Sequence, residues 1–236
     1  MKDINVFGPI GDALSGDAVR ASDFAAALRD AGGDDVTIHI NSGGGDVFDA
    51  NAMAETLRAY EGRTVASIEG LAASAASYFA LTADEVVINR SALVMVHNPH
   101  SCAYGDAEDM RKTADMLDKV RGAISGQYAR KTGRGTDEIE GLMDAETWFT
   151  ADEAIEFGLA DRMSDAEPIA ACVDASTMRG FRHAPKSLVG DGRGAGEHGQ
   201  TIVGNASAPE AGAAEGAAVA AAGVVCLNGA FLKMGC

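Results

Sequence analysis

The sequence is organised around an elbow of small residues, Gly70-Leu71-Ala72-Ala73-Ser74-Ala75-Ala76-Ser77. A short β-type run at residues 65–69 precedes the elbow, and an apolar run at 78–81 that is typical of a buried helix follows it. A serine at the start of a helix lies beside unpaired backbone N–H groups and the positive end of the helix dipole, and both stabilise an oxyanion. Ser74 is therefore a candidate nucleophile. The alternative is that Ser74 only caps an alanine-rich core helix.

Strand and helix patterns alternate on both sides of the elbow. The sequence predicts strands at 4–10, 36–40, 65–69, 85–88 and 92–96, and helices at 21–31, 47–60, 106–131, 136–143 and 150–158. Ser22 is the expected N-cap of the first helix. Strands that alternate with helices favour an α/β fold with right-handed crossovers. Active sites in open α/β sheets gather at the carboxyl ends of the strands.

A glycine-rich turn, Asn41-Ser42-Gly43-Gly44-Gly45-Asp46, follows the second predicted strand and precedes a helix. Such a turn exposes backbone N–H groups with no side chain in the way. A phosphate-binding loop would look similar, but the Lys-Ser/Thr of a Walker motif and the GxGxxG spacing are both missing. We therefore expect this turn to supply an oxyanion donor rather than to bind a nucleotide.

A histidine and acidic residues follow Ser74 in the chain. A serine at neutral pH needs a base within hydrogen-bond reach, and the base needs an acceptor that fixes its tautomer. His97 ends a predicted strand and is the candidate base, with His100 and His39 as rivals, although His39 is expected at the surface. Ser77 is a rival nucleophile, but it lies a turn into the helix, where its hydroxyl would bond back to a carbonyl.

Composition and charge restrict the class of protein. The formal net charge of −16 argues against nucleic acid or an anionic membrane as the main partner. No apolar run is long enough to span a bilayer, and the N-terminus has no signal-peptide core. The four cysteines form no CxxC pair, which fits a reducing compartment. We expect a cytoplasmic protein without a metal or cofactor.

Two further segments leave alternatives open. The helix predicted at 106–131 has one apolar stripe, which would pack either on the sheet or on a neighbouring subunit. From about residue 164 the chain becomes rich in Ala, Gly, Ser and Pro, and hydrophobic periodicity fades. We therefore expect one domain at 1–163 and a largely disordered linker and tail at 164–236.

Four blocks of the sequence resemble the Clp protease proteolytic subunit family (ClpP) over about residues 5–163, and most closely its phage branch, the head-maturation (prohead) proteases. The blocks are Ile40-Asn41-Ser42-Gly43-Gly44-Gly45, Gly70-Leu71-Ala72-Ala73-Ser74-Ala75, Met95-Val96-His97-Asn98-Pro99 and Thr150-Ala151-Asp152-Glu153-Ala154-Ile155-Glu156-Phe157-Gly158-Leu159-Ala160-Asp161. The resemblance implies a ClpP/crotonase-like α/β fold of repeated strand-helix units with a long handle-type helix. It also implies a serine endopeptidase.

The resemblance implies site roles by position. Ser74 corresponds to the nucleophile and His97 to the general base, while the N–H groups of Gly44 and Ala75 correspond to the oxyanion hole. Gly43 and Gly45 belong to a segment that would pair with the substrate backbone. An ungapped alignment places Glu146 at the family's acid, which is usually an aspartate, and Asp144 is the alternative. The serine–lysine pair of the signal-peptide peptidase relatives is not favoured, because no lysine stands out as a base.

The resemblance also implies partners and a biological setting. We expect an ATP-independent peptidase that forms a homo-oligomeric ring and processes phage capsid or scaffold proteins, in the host cytoplasm or inside the procapsid. No unfoldase ATPase partner is expected, because the N-terminal extension used at the axial pore is largely absent. One alternative is a non-catalytic assembly subunit whose tail binds capsid protein. A crotonase-type acyl-CoA enzyme ranks third, since it would not need Ser74 and His97 together.

Overall fold

The computed structural model describes residues 1–12, 18–165 and 181–185. Its elements, in chain order, are β1 (Lys2–Phe7), α1 (Ala21–Ala31), β2 (Val36–Ser42), α2 (Val47–Arg58), β3 (Thr64–Ala73), α3 (Ala75–Ala80), β4 (Glu85–Ile88), β5 (Leu93–Val96), α4 (Ala107–Thr132), α5 (Thr136–Asp144), β6 (Thr147–Thr150), α6 (Ala151–Phe157) and β7 (Arg162–Met163). The expected α/β fold is confirmed.

The described strands form a seven-stranded sheet in which β3 has two successive partners on one side. The first half of β3 pairs with β4, and its last residues, Leu71 to Ala73, pair with β5. The strand pairs are parallel, except that β6 runs antiparallel to β5. Because β2, β3 and β5 are neighbours and parallel, their carboxyl ends meet at the same edge of the sheet.

The hydrophobic core lies between the sheet and the helices, mainly α1 to α3, with further buried residues from α4 to α6. Alternate residues of β2 point inward, so that Val36, Ile38 and Ile40 are fully buried while the residues between them are partly exposed. The rings of Phe24 and Phe79 meet edge to face, with centroids 5.1 Å apart, and join α1 to α3. Burial of each such side chain stabilises the fold by about 1.5–3 kcal/mol.

Several local details differ from the predictions. The first strand, predicted at 4–10, is β1 at Lys2–Phe7. Helix α1 has Arg20 rather than Ser22 at its N-cap, and no side chain caps it. Strand β3 does not end at residue 69 but continues to Ala73, because its last residues find hydrogen-bonding partners in β5. Strand β6 was not predicted, since four residues that pair only with β5 carry too short a pattern to be recognised.

The long helix α4 is buried only toward its C-terminal end. A capping box between Asp106 and Asp109 begins it, and Gly133 in the left-handed conformation ends it. Of the predicted apolar stripe, Ile124 and Tyr128 are buried against the core, whereas Met110 is 38% exposed. The C-terminal part thus packs within its own chain, mainly on α3 and α5 rather than on the sheet as predicted, and contact of the N-terminal part with another subunit stays a prediction.

The predicted linker and tail lie mostly outside the described residues. Of residues 164–236, the structure describes 164–165 and 181–185. The second of these segments contacts the core, as described below, and the predicted boundary at residue 163 stays a prediction. None of the helices in the described part of the chain is long and apolar enough to cross a membrane.

Candidate active site

Ser74 occupies a strained turn between β3 and α3. Its backbone has φ 54° and ψ −126°, a conformation that a residue with a side chain adopts at a cost of about 1–3 kcal/mol. The turn is held from both sides. The Ser74 N–H donates to the Met95 carbonyl at 3.0 Å, and its own carbonyl accepts from the Ser77 hydroxyl at 2.7 Å. The turn therefore presents the Ser74 side chain in a fixed direction.

The order of the strands brings His97 to Ser74. Strand β5 lies beside the end of β3 and delivers His97 directly after Val96. The distance between His97 Nε2 and Ser74 Oγ is 2.7 Å. In the tautomer with the proton on Nδ1, the Ser74 hydroxyl donates to Nε2, which is the geometry of a nucleophile and its general base.

The His97 ring is partly buried and lies among other side chains. Burial, followed by the neighbouring His100 and then by Arg182, lowers the pKa of His97 from its ordinary 6.5 to about 4, although Glu146 opposes this shift. The imidazole is therefore neutral at neutral pH and can accept a proton. Its ring also meets those of His100 and Phe181 edge to face, at centroid distances of 5.3 and 5.8 Å.

Glu146 lies beside His97 because β6 is antiparallel to β5. Thr147, the first residue of β6, pairs with Val96, so that Glu146 and His97 are the next residues beyond that pair. Glu146 has a left-handed backbone with φ 50° and a buried side chain. No hydrogen bond joins it to the His97 ring among the contacts of the described residues.

Three N–H groups instead hold the Glu146 carboxylate. The backbone N–H of Arg182 donates to Oε2 at 2.8 Å, and that of His183 donates to Oε1 at 2.7 Å. The Trp148 indole donates weakly to Oε1 at 3.4 Å. Burial raises the pKa of Glu146, but these hydrogen-bond donors outweigh it, and the pKa falls below its ordinary value. The carboxylate is therefore ionised at neutral pH.

The alternative acid, Asp144, is bound elsewhere. Its Oδ1 accepts from the Asn98 amide at 2.7 Å and from the Arg121 guanidinium at 2.9 Å. Arg121 also lies 3.3 Å from Glu140, so that Asp144 belongs to a partly exposed ion-pair network. These partners leave Glu146 as the better candidate for the acid, although which residue completes the site stays a prediction.

The glycine turn lies against the Ser74 elbow. A Cβ added to Gly44 would lie 2.8 Å from both the Ala75 nitrogen and the Ser74 Cβ, so the backbones are in close contact. The Gly44 N–H donates to the Ser42 hydroxyl at 3.1 Å. Within the described residues, the N–H of Gly45 has no hydrogen-bond partner, and that of Ala75, at the first turn of α3, has no intrahelical acceptor. The predicted oxyanion donors Gly44 and Ala75 thus lie close together, but the Gly44 N–H already donates to the Ser42 hydroxyl.

A cleft opens in front of Ser74 and His97. Its lining includes Gly45, Ser74 and Ala75. Its other walls are mostly apolar and come from α2, the chain after β5, and α4: Val47, Pro99, Leu117, Val120 and Ile124. Such a lining suits an apolar side chain of a ligand.

The rival residues have other partners. The single proton of the Ser77 hydroxyl points to the backbone carbonyls of Ser74 and Met95, and its oxygen lies 2.7 Å from the Tyr128 hydroxyl, which confirms its structural role. His39 lies on the partly exposed face of β2, as expected, and its ring nitrogens lie 2.6 Å from Glu69 and 3.2 Å from Asp3. These carboxylates outweigh its burial and raise its pKa. His39 therefore belongs to a separate polar cluster and not to the Ser74 site.

Some residues at the site were not found from the sequence. Trp148, Arg182 and His183 contact Glu146, and Phe181 contacts His97. The available signal was the run Phe181-Arg182-His183 within a region dominated by small residues. Across the described ranges, no group of three or more His, Cys, Asp or Glu side chains is placed to hold a metal ion.

Comparisons with known proteins agree with this fold. The family model described as Clp protease matches residues 3–167. ATP-dependent Clp protease proteolytic subunit 1 of Prochlorococcus marinus subsp. pastoris is 30% identical over 139 residues, which are 57% of this chain and 70% of that protein. The structure of a ClpP1 mutant from Listeria monocytogenes aligns with a TM-score of 0.61 at 22% identity, and covers 70% of this chain and 92% of its own. The predicted ClpP-like fold is therefore confirmed, while the phage branch stays a prediction.

Proposed function

The chain belongs to the Clp protease family, and from this premise we propose that it is a serine endopeptidase in which Ser74 is the nucleophile and His97 the general base. The observation that carries the proposal is the 2.7 Å contact between Ser74 Oγ and His97 Nε2 at a strained strand-to-helix turn. A serine that only capped a helix would not need an imidazole partner. This pairing therefore favours catalysis over the capping role.

In the proposed reaction, Ser74 Oγ attacks the scissile carbonyl while His97 takes the hydroxyl proton. The protonated imidazole then gives that proton to the leaving amine, and a water molecule repeats the cycle to release the acyl group. The negative oxygen of the tetrahedral intermediate is held by the N–H of Ala75 and by the glycine turn. The Gly44 N–H takes part once its hydrogen bond to the Ser42 hydroxyl breaks. The N–H of the neighbouring Gly45 has no partner within the described residues.

Glu146 is the proposed acid of the site. An ionised carboxylate near the imidazole stabilises the imidazolium that forms during the reaction. Glu146 is kept ionised by its N–H donors, and its charge raises the pKa of His97 against the effect of burial. We propose that its remaining acceptor site takes the His97 Nδ1–H when substrate is bound.

The proposed substrates are phage capsid or scaffold proteins, cleaved during head assembly without an ATPase. The support is the resemblance of the four sequence blocks to prohead proteases, together with a net charge of −16 that disfavours nucleic acid as the partner. A homo-oligomeric ring, built in part through α4, is proposed on the same resemblance. The N-terminal part of α4 leaves Met110 and Met116 exposed, which suits contact with another copy of the chain.

The test is to react the full chain with a fluorophosphonate probe and to mix it with the capsid and scaffold proteins encoded beside it. We expect the probe to label the wild type and Ser22→Ala, a matched change of a surface serine. Ser74→Ala should lose labelling, and its cleavage rate should fall by at least about 10³-fold. Labelling that survives in Ser74→Ala would show a different nucleophile. Head assembly that needs the fold but not Ser74 would favour the non-catalytic assembly subunit.

A further inference from the structure

Residues 181–185, here named the clamp segment, lie against the active site without entering the cleft. None of them lines the space in front of Ser74. Two of their backbone N–H groups, from Arg182 and His183, donate to different oxygens of the Glu146 carboxylate. The clamp segment therefore holds the Glu146 carboxylate by hydrogen bonds and does not block the cleft in front of Ser74.

The clamp segment also has an apolar anchor. The Phe181 ring meets the Trp148 ring edge to face at 5.5 Å and the His97 ring at 5.8 Å. Phe181 and Ala184 pack against a small buried cluster formed by β3 and β5, whose members are Leu71, Ala73 and Met95. Packing as well as hydrogen bonds thus holds the clamp segment against β3 and β5, the strands that precede Ser74 and His97.

This arrangement has two readings, because the amides either support the carboxylate or compete with His97 for it. A carboxylate offers about four acceptor sites, and the three N–H donors leave room for the imidazole. The contact between Ser74 and His97 is formed while the segment is in place. Since the catalytic pair is aligned and the cleft is open, the geometry favours support over competition.

We propose that the clamp segment is a positioning element of the active site, in which the N–H groups of Arg182 and His183 fix the Glu146 carboxylate and Phe181 fixes the His97 ring. The inference rests on the proposed peptidase function. It extends the working site to residues beyond the last strand of the domain. It also assigns to main-chain groups a role that no side-chain pattern in the sequence would have indicated.

The first test removes one N–H group from the full chain. His183→Pro lacks the donor, whereas His183→Ala keeps it and loses only the side chain. We expect His183→Pro to react with the fluorophosphonate about 10- to 100-fold more slowly than His183→Ala, the range for a displaced catalytic group. With a peptide substrate, kcat should fall while KM is unchanged, because the segment does not line the cleft.

The second test removes the anchor and does not depend on proline. Phe181→Ala should slow labelling by a similar factor, and Phe181→Leu, which keeps an apolar contact, should recover most of the rate. Thermal melts of all four variants identify any that are unfolded at the assay temperature. If His183→Pro is unfolded, the Phe181 pair decides the question.

The outcomes separate this inference from the proposed function. A wild type that the probe does not label overturns the peptidase assignment, and the inference with it. A labelled wild type whose folded variants react equally fast overturns the inference alone. Faster reaction of the variants would show that the segment competes for Glu146, and a rise in KM with constant kcat would show that it binds substrate. Either result overturns the positioning role.

Discussion

Replacement of Gly44 by alanine tests the contact between the glycine turn and the Ser74 elbow. The new Cβ would lie 2.6 Å from the Ala73 carbonyl oxygen and 2.8 Å from the Ala75 nitrogen, well inside van der Waals contact. The residue also has φ +89°, which an alanine adopts only with strain. Gly33 is a matched control, because it has the same φ of +89° and no atom within 4 Å of an added Cβ.

The two variants separate strain from steric overlap. Gly33→Ala should lose about 1–2 kcal/mol of unfolding free energy, from the left-handed backbone alone. Gly44→Ala should lose a further ~1–3 kcal/mol, because backbone must move to admit the methyl group. That movement disturbs the predicted oxyanion donors, and loss of one such donor lowers kcat by about 10²- to 10³-fold. Gly33→Ala should cleave at the rate of the wild type.

Urea unfolding and the rate of fluorophosphonate labelling measure the two effects on the full chain. We expect Gly44→Ala to be less stable than Gly33→Ala and to react at least about 100-fold more slowly. Two variants of equal stability and equal labelling rate would refute the close contact between the turn and the elbow. A slow Gly33→Ala variant would show that general destabilisation, and not the site, limits the reaction.

Two further predictions concern buried groups near the nucleophile. Because the pKa of His97 is lowered to about 4 by burial and then by His100, the acid limb of the labelling rate should have its midpoint near pH 4. An acid limb with its midpoint at pH 6.5 would contradict the lowered pKa. The unfolded chain binds this proton below about pH 6.5, so the free energy of unfolding should fall by up to about 3 kcal/mol as the pH drops from 6.5 toward 4. Tyr128→Phe, which removes the hydroxyl 2.7 Å from Ser77, should cost about 1 kcal/mol in urea unfolding. Tyr60→Phe, whose hydroxyl bonds are at the surface, should cost less than about 0.5 kcal/mol, and equal costs would count against a structural role for the buried pair.

The sequence was sufficient to predict the helices and strands whose apolar residues recur with a regular period. Helix α1 and strands β4 and β5 were predicted closely, because each buries one face or both and its apolar pattern records this. The placement of Ser74 and His97 at the carboxyl ends of two strands followed from the alternation of strands and helices, whereas the pairing of these strands is known from the structure. Their contact at 2.7 Å did not, since a pattern states which residues end a strand but not how the side chains turn.

Features that depend on non-local partners could not be predicted. The last residues of β3 look like loop because they are small, and only their pairing with β5 makes them a strand. The surroundings of Glu146 were unpredictable for a similar reason. Two of its three donors are main-chain N–H groups at Arg182 and His183, which every non-proline residue possesses and no sequence pattern distinguishes.

Helix α4 supplies one wall of the cleft and also touches the support of the nucleophile. Leu117, Val120 and Ile124 face the cleft, and the Tyr128 hydroxyl, one turn farther on, reaches Ser77 beneath the elbow. An α-helix transmits a sliding or rolling motion along its whole length. A shift of α4 would therefore move one wall of the cleft and the Tyr128 contact with Ser77 at the same time.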